Sequence, residues 1–257
     1  MMARSDLANE FGDLPDLPSG QGWADHALFL DFDGTLAALA DDPASVRLSP
    51  EMRTVLPRLV HRTDGAIAIL SGRALTDLAG RTENIGAVLS GSHGAEIRWP
   101  DGRTHPLPET RAELDNAFAE LSDFARAHDL RIERKPGAVA LHYRTRPGMA
   151  AQGRAAVDRA VAANPALRAI HGNMVSETAI AGLDKGCALR RLMSSPPFRG
   201  RRPVMAGDDR TDEDAIAAAQ AMGGLGLRIG PGATAARVRF NDMAAFQGWL
   251  ARSAAKE

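Results

Sequence analysis

The stretch FLDFDGTL, residues 29–36, runs apolar into Asp31 and repeats the charge at Asp33 before Gly34, Thr35 and Leu36. Two readings fit it. Asp and Gly are common turn formers, so the stretch can be a surface turn; or it is a strand holding two carboxylates at the edge of a sheet. The flanks bear on the choice. ALFLD (27–31), the uninterrupted apolar run AIAIL (66–70), AVLS (87–90), PVMAG (203–207) and GLGLRI (224–229) read as predominantly apolar strands. Between them lie helical segments. One opens at Ser49-Pro50-Glu51, with serine as cap and proline at the first helical position, and runs to about His61. Others are a short stretch from Ala74 to about Ala79, one from Asp184 and one from about Thr211. Strands apolar on both faces and separated by helices predict an α/β core, a parallel sheet covered on both sides.

The pattern changes near Pro106. A helix over 109–128 is followed by RIERK (131–135) and AVALHYR (138–144) around Pro136-Gly137. A second helix, about 148–163, precedes LRAIH (167–171) and MVSETAI (174–180) around Gly172-Asn173. This αββαββ order suits a separate α+β module with an antiparallel sheet. The expected organisation is a polar leader over 1–25, a discontinuous core over 26–106 and 181–257, and an inserted domain over 107–180.

Composition narrows the partners. The 257 residues carry a net charge of −1, so no global field draws nucleic acid or an anionic membrane. No apolar stretch approaches the roughly 20 residues of a membrane helix. The single cysteine, Cys187, excludes an internal disulfide framework. The N-terminal stretch has no basic region followed by an apolar one, so a cytoplasmic location and a monomer are the expectations. Of 31 basic residues only Lys135, Lys185 and Lys256 are lysine. A lysine inside so arginine-rich a chain can mark a place for a compact ammonium where a planar fork does not fit.

In an open parallel sheet, ligands bind outside the carboxyl ends of the strands. Those ends carry Asp31 and Asp33; Ser71 with Gly72 and Arg73; and Asp208 and Asp209 followed by Asp212. Lys185 opens the helix after the insert. Taken singly each has a bland reading, since GDD is also an ordinary turn and helix cap. Several carboxylates converging at one edge repel one another unless a cation neutralises them, and oxygen ligands favour Mg²⁺. A hydroxyl, an ammonium and backbone N–H groups nearby suit the oxygens of a phosphoryl group. An aspartate there can attack as nucleophile, and a second can protonate the leaving alcohol.

DFDGTL, SGR, the isolated DKG and GDDRTDEDA, in that order over residues 31–214, resemble the four-motif signature of the haloacid-dehalogenase-type phosphatases. The resemblance implies a Rossmannoid core in which Asp31 is the nucleophile, Asp33 the general acid and base, and Ser71 and Lys185 the phosphate holders. It also implies Mg²⁺ held by Asp31, the Asp33 carbonyl and Asp208, with Asp212 in or near the shell. Gly72, Arg73 and Asp209 beside these groups are candidate substrate contacts.

The leaving alcohol must then be read from the insert, closing over the core as a cap. Glu133 and Lys135 face one way, as do His142 and Arg144, and Asn173 and Glu177 lie on the next strand pair. Such a face suits a ligand rich in hydroxyls, or is a solvated face with cross-strand ion pairs. SGR, GSHGAE (91–96), ERKPGAVALHYR (133–144), the GN turn with Glu177, DKG and GDDRTDEDA together resemble the trehalose-6-phosphate phosphatase family. That likeness implies a sugar phosphate as small-molecule substrate, with Glu133, Lys135 and Glu177 on sugar hydroxyls. His93 and Glu96 either line the cleft or belong to a capped turn. The alternatives are a phosphatase for another sugar phosphate, of the sucrose-phosphate or mannosyl-phosphoglycerate type, and a silent sugar-phosphate-binding protein.

Overall fold

The computed structural model describes residues 23–40, 42–83, 85–105, 111–162 and 164–255. The expected leader lies outside these up to residue 22. Two compact units divide the chain, one ending at Thr104 and resuming at Asp184, the other spanning His105–Leu183. The sequence reading puts those boundaries a few residues away, at 106/107 and 180/181.

Strands and helices alternate through the first unit as β1 (His26–Asp31), α1 (Pro50–Arg62), β2 (Ile67–Leu70), α2 (Leu75–Thr82), β3 (Val88–Gly91), β4 (Glu96–Arg98) and β5 (Thr104–His105). The insert holds α3 (Arg111–His128), β6 (Arg131–Lys135), β7 (Ala138–His142), α4 (Ala150–Ala162), β8 (Leu167–Gly172) and β9 (Val175–Ile180). The core resumes with α5 (Lys185–Met193), β10 (Arg202–Gly207), α6 (Glu213–Ala221), β11 (Leu225–Ile229), β12 (Val238–Phe240) and α7 (Met243–Ala255). The first residues of the helix expected from 109 lie outside the described set. β4, β5, β12 and α7 are additions to the sequence reading.

The eight-stranded sheet has the order β12-β11-β10-β1-β2-β3-β4-β5. The pairings from β12 to β3 are parallel, and β4 is antiparallel to β3. Alternate residues of the central strand feed two cores. Leu28 and Leu30 join Met52, Leu56 and Leu59 of α1 and Phe246 and Leu250 of α7. Ala27 and Phe29 join Ala188, Leu189 and Leu192 of α5 and Ile216 and Ala219 of α6. Burial on both faces is the reason these strands read as continuous apolar runs. In α1 the buried positions 52, 55, 56 and 59 follow the helical repeat, and Ser49 Oγ caps it by accepting from the Met52 N–H at 3.2 Å.

From β1 the chain builds outward to β2 and β3 on one side and returns later with β10 and β11 on the other. The strand order thus reverses between β1 and β10, where an open α/β sheet leaves a crevice at its carboxyl edge. Asp31 ends β1 and Asp208 follows β10 at that point.

Within the insert the four strands form one antiparallel sheet, β6-β7-β9-β8. Its register sets Glu133 opposite Ala140, Ala140 opposite Glu177, and Lys135 opposite Ala138. Residues directly opposite share a face. Leu141 and Tyr143, of the other parity, lie against Gly153 of α4, where a β-carbon would stand 3.0 Å from the tyrosine ring. The polar row is therefore on the face away from that helix.

Candidate active site

Asp31, Asp208 and Asp212 each place a carboxylate oxygen within 4.8 Å of the others. Lys185 Nζ stands between two of them, 2.6 Å from Asp31 Oδ1 and 2.6 Å from Asp212 Oδ1. The lysine reaches this point because Asp184 caps α5, its side chain accepting from the Cys187 N–H at 2.6 Å, so that Lys185 is the first helical residue. Asp212 is fully buried, and its second oxygen accepts from the Asp209 N–H at 2.9 Å. Two glycines make room for these carboxylates. A β-carbon on Gly34, whose φ is +84°, would fall 2.2 Å from Asp208 Oδ2, and one on Gly207 would fall 2.2 Å from Asp212 Cγ.

The charges do not balance: three carboxyl groups meet one ammonium. Burial and the facing Asp212 push the Asp31 carboxyl well above the usual carboxylate range, with Lys185 opposing them. Burial and Asp212 raise Asp208 to about 6. Burial disfavours the charge on Lys185, yet Asp212 and Asp31 outweigh it and hold the ammonium protonated well above its ordinary range. Asp31 Oδ2 is buried and accepts from no donor among the described residues. An all-oxygen donor set with surplus negative charge and an unsatisfied buried oxygen fits a hard divalent cation.

Ser71 follows the last residue of β2, Leu70, which pairs with Asp31, and is buried; its Oγ accepts from the Arg73 N–H at 3.1 Å, leaving the hydroxyl proton for another acceptor. His93 is brought to the same place. A β-carbon on Gly72 would meet the His93 ring at 2.6 Å, and the His93 N–H donates to Ser71 O at 3.0 Å. Ser92 and His93 both lie in the left-handed region, with φ of 48° and 55°, a costly conformation for residues with side chains. Glu96 holds that turn: its Oε2 accepts from Ser92 Oγ and from the Leu75 N–H at the start of α2, each at 3.0 Å. Of the two readings of Glu96, the capped turn is the one realised.

Three sequence-predicted residues make contacts that the sequence reading did not name. Arg73 donates four of its five N–H groups within the protein, two to Asp33 and one each to Asp77 and Pro43 O. It holds another side chain of the site instead of standing free for substrate. Asp33 itself accepts from Arg73 through both carboxylate oxygens. Asp209 is exposed and caps the turn that follows, accepting from the Arg210 N–H. Sequence reasoning missed Arg228, buried at the end of β11, which donates to Asp209 O and to Pro231 O at 2.9 Å each and ties down the loop after β10.

Residues 29–233 match the family model described as Trehalose-phosphatase. The chain belongs to the trehalose-phosphatase family. It is 39% identical over 207 residues to a Sinorhizobium fredii protein named "Probable trehalose-phosphate phosphatase", covering 80% of this chain and 78% of the relative. It is 34% identical over 240 residues to the Escherichia coli protein named "Trehalose-6-phosphate phosphatase", covering 93% and 88%. The solved C-terminal domain of the C. albicans trehalose-6-phosphate phosphatase aligns with a TM-score of 0.76 at 22% identity, over 90% of this chain and 92% of that one. At that identity the likeness shows the fold, which is that of the haloacid-dehalogenase-like structures.

In this trehalose-phosphatase-family chain the insert assembles Glu133, Lys135, His142 and Glu177 on one sheet face. Lys135 Nζ reaches across β7 to Glu177 Oε1 at 2.6 Å, and His142 Nε2 lies 2.8 Å from Glu133 Oε2. Where Lys135 crosses β7 the side chains on that face are those of Ala138 and Ala140, small enough for a lysine to span. The His142 hydrogen bond holds the Glu133 carboxyl below its usual range against a partial desolvation. Arg144 and Asn173 are exposed beyond the end of β7 and at the β8–β9 turn; neither joins that row of contacts. Among the described residues no helix is long and apolar enough to cross a membrane.

Proposed function

We propose that the protein hydrolyses trehalose 6-phosphate to trehalose and phosphate through an aspartyl-phosphate, with Mg²⁺ as its cofactor. The observation carrying the chemistry is the cluster of buried Asp31, Asp212 and Lys185 with half-buried Asp208 at the carboxyl end of the central strand. Family membership and the names of the relatives support the substrate.

Asp31 attacks the phosphorus as the bond to the sugar oxygen breaks, and Asp33 gives that oxygen a proton. Water, losing its proton to Asp33, then attacks the phosphorus and frees Asp31 and inorganic phosphate. Lys185 keeps Asp31 oriented through Oδ1, so that the aspartate enters the reaction from a fixed position. The Ser71 hydroxyl donates to a phosphoryl oxygen. Mg²⁺, when bound by Asp31, the Asp33 carbonyl and Asp208, supplies Lewis-acid neutralisation of the phosphoryl charge. Glu133, Lys135 and Glu177 contact sugar hydroxyls from the insert, with His93 near the phosphoryl group.

The deciding experiment is phosphate release from trehalose 6-phosphate, glucose 6-phosphate and sucrose 6-phosphate, each with Mg²⁺ and after chelation. We expect a strong preference for the first and loss of at least ~10²-fold on chelation, restored by Mg²⁺. Activity spread evenly over the panel would retain the phosphatase and refute the sugar assignment. Chelation without effect would refute the metal.

Lys135→Ala tests the sugar face separately. It is expected to lower kcat/KM on trehalose 6-phosphate by ~10–10²-fold, the cost of one charge-assisted contact, while a small aryl phosphate is hydrolysed as before. Equal losses on both substrates would remove Lys135 from the sugar site.

A further inference from the structure

Arg73, Asp77 and Arg81 recur at every fourth residue just before and along α2. None of the phosphatase chemistry above uses the last two. Arg73 grips Asp33 side-on, Nε to Oδ2 at 2.7 Å and Nη2 to Oδ1 at 2.5 Å. Its remaining arm, Nη1, reaches Asp77 Oδ2 at 2.9 Å and Pro43 O at 3.1 Å. Arg81 grips Asp77 in the same side-on way, at 2.9 and 2.6 Å, and anchors its own free arm on Val46 O at 2.6 Å. The Phe32 ring supports the Arg73 guanidinium at 5.6 Å.

Isolated ion pairs at four-residue spacing on a helix surface contribute little and fix nothing. This arrangement differs in two ways. Arg81 is buried, and the Arg73–Asp33 and Arg81–Asp77 links are two-point forks, which constrain direction as well as distance, joined by the single bond from Arg73 Nη1 to Asp77 Oδ2. Asp33 lies two residues beyond the end of β1, with its side chain 29% exposed, and among the described residues no other side chain holds its carboxylate. Its two rotatable bonds are fixed by a planar group whose own plane is fixed by Asp77 and, behind that, by Arg81 and the 44–46 backbone.

We propose that Arg73, braced by Asp77 and Arg81, is the positioning device of Asp33, setting where that carboxyl stands when the leaving oxygen takes its proton. The inference rests on the reading of Asp33 as proton donor. As the P–O bond breaks, its electron pair goes to the leaving oxygen, the bond from Asp31 to phosphorus forms, and the proton passes from Asp33. A leaving group that is already a weak base needs little of that proton. A strongly basic one depends on it.

The test is kcat/KM for phenyl, 4-nitrophenyl and 2,4-dinitrophenyl phosphate, with Mg²⁺, for the full chain and the variants Asp77→Asn, Arg73→Met and Asp33→Asn. Melting curves establish which variants are folded. Asp33→Asn is expected to lose ~10²–10⁴-fold on phenyl phosphate and far less on the dinitrophenyl ester. Arg73→Met and the near-isosteric Asp77→Asn should shift the same way, by ~10²-fold and ~10-fold on phenyl phosphate, steepening the dependence on the leaving group. A steepened series for Asp77→Asn sustains the proposal even where Arg73→Met does not fold. A series for Asp77→Asn parallel to that of the unaltered protein, with Asp33→Asn steepened, overturns the positioning role alone. A parallel series for Asp33→Asn overturns its role as proton donor, and the positioning role with it.

Discussion

Phosphate release from trehalose 6-phosphate is expected to fall at least ~10⁴-fold in Asp31→Asn, as when a covalent nucleophile is deleted elsewhere. An amide at this point cannot form the acyl phosphate, yet it keeps the shape of the side chain and its Oδ1 can still accept from Lys185. The fold should survive. Of the three crowded carboxyl groups one is neutralised, which removes like-charge repulsion that in the unaltered protein holds the Asp31 carboxyl above its usual range after burial itself. A melting temperature equal to or above that of the unaltered protein, with no turnover, is the expected pair of results. Undiminished turnover in the folded variant would sink the assignment of Asp31 as nucleophile.

Removing the ammonium should have the opposite effect on stability. Lys185→Met is expected to cost ~3–5 kcal/mol of unfolding free energy in metal-free buffer at neutral pH, because Asp31 and Asp212 are left buried without their shared partner. Activity should fall by ~10²–10³-fold or more, the cost of one positioned charge in a site of this kind. Added Mg²⁺ should recover part of the stability and little of the activity, since a divalent cation meets the surplus negative charge without replacing the group at Asp31 Oδ1. Chemical unfolding with and without Mg²⁺ measures both. A variant as stable as the unaltered protein would mean that the carboxyl groups do not depend on Lys185 for their burial.

The rarity of lysine in this chain bears on the same point. Lys185 sits between two acidic groups at 2.6 Å each in the core cluster, and Lys135 meets one, Glu177, at 2.6 Å on the insert's sheet. A guanidinium brings a rigid plane and five donors to such a point, and neither gap is arranged to receive them. The asymmetry in composition therefore does have a structural counterpart at both interior lysines.

Much of the framework is legible in the residue order. Parallel strands buried on both faces must be apolar throughout, so ALFLD, AIAIL and PVMAG declare themselves, and RIERK is found with both of its ends. Ser49-Pro50 fixes the start of α1 because a cap and a proline each have one favourable place there. β4 and β12, three residues each, are harder, and α7 is absent from the sequence reading too. Short edge strands carry too few residues to show a period, whereas α7 buries Phe246, Trp249, Leu250 and Ala254 at helical spacing, a repeat that does stand in the sequence.

The order of residues was enough to bring Asp31, Lys185, Asp208 and Asp212 together, because each lies at or next to the end of a strand or the start of a helix and such positions converge where the sheet is parallel. It could not decide what each group does with its hydrogen bonds. Arg73 reads as a substrate contact and is committed to Asp33; Asp209 reads as a ligand contact and caps a turn; Glu96 is drawn to the start of α2. A polar side chain reaches any partner within its arm's length, and linear order does not say which donor and which acceptor burial will force together. That choice belongs to the tertiary structure, where each polar group taken out of water must find its own counterpart.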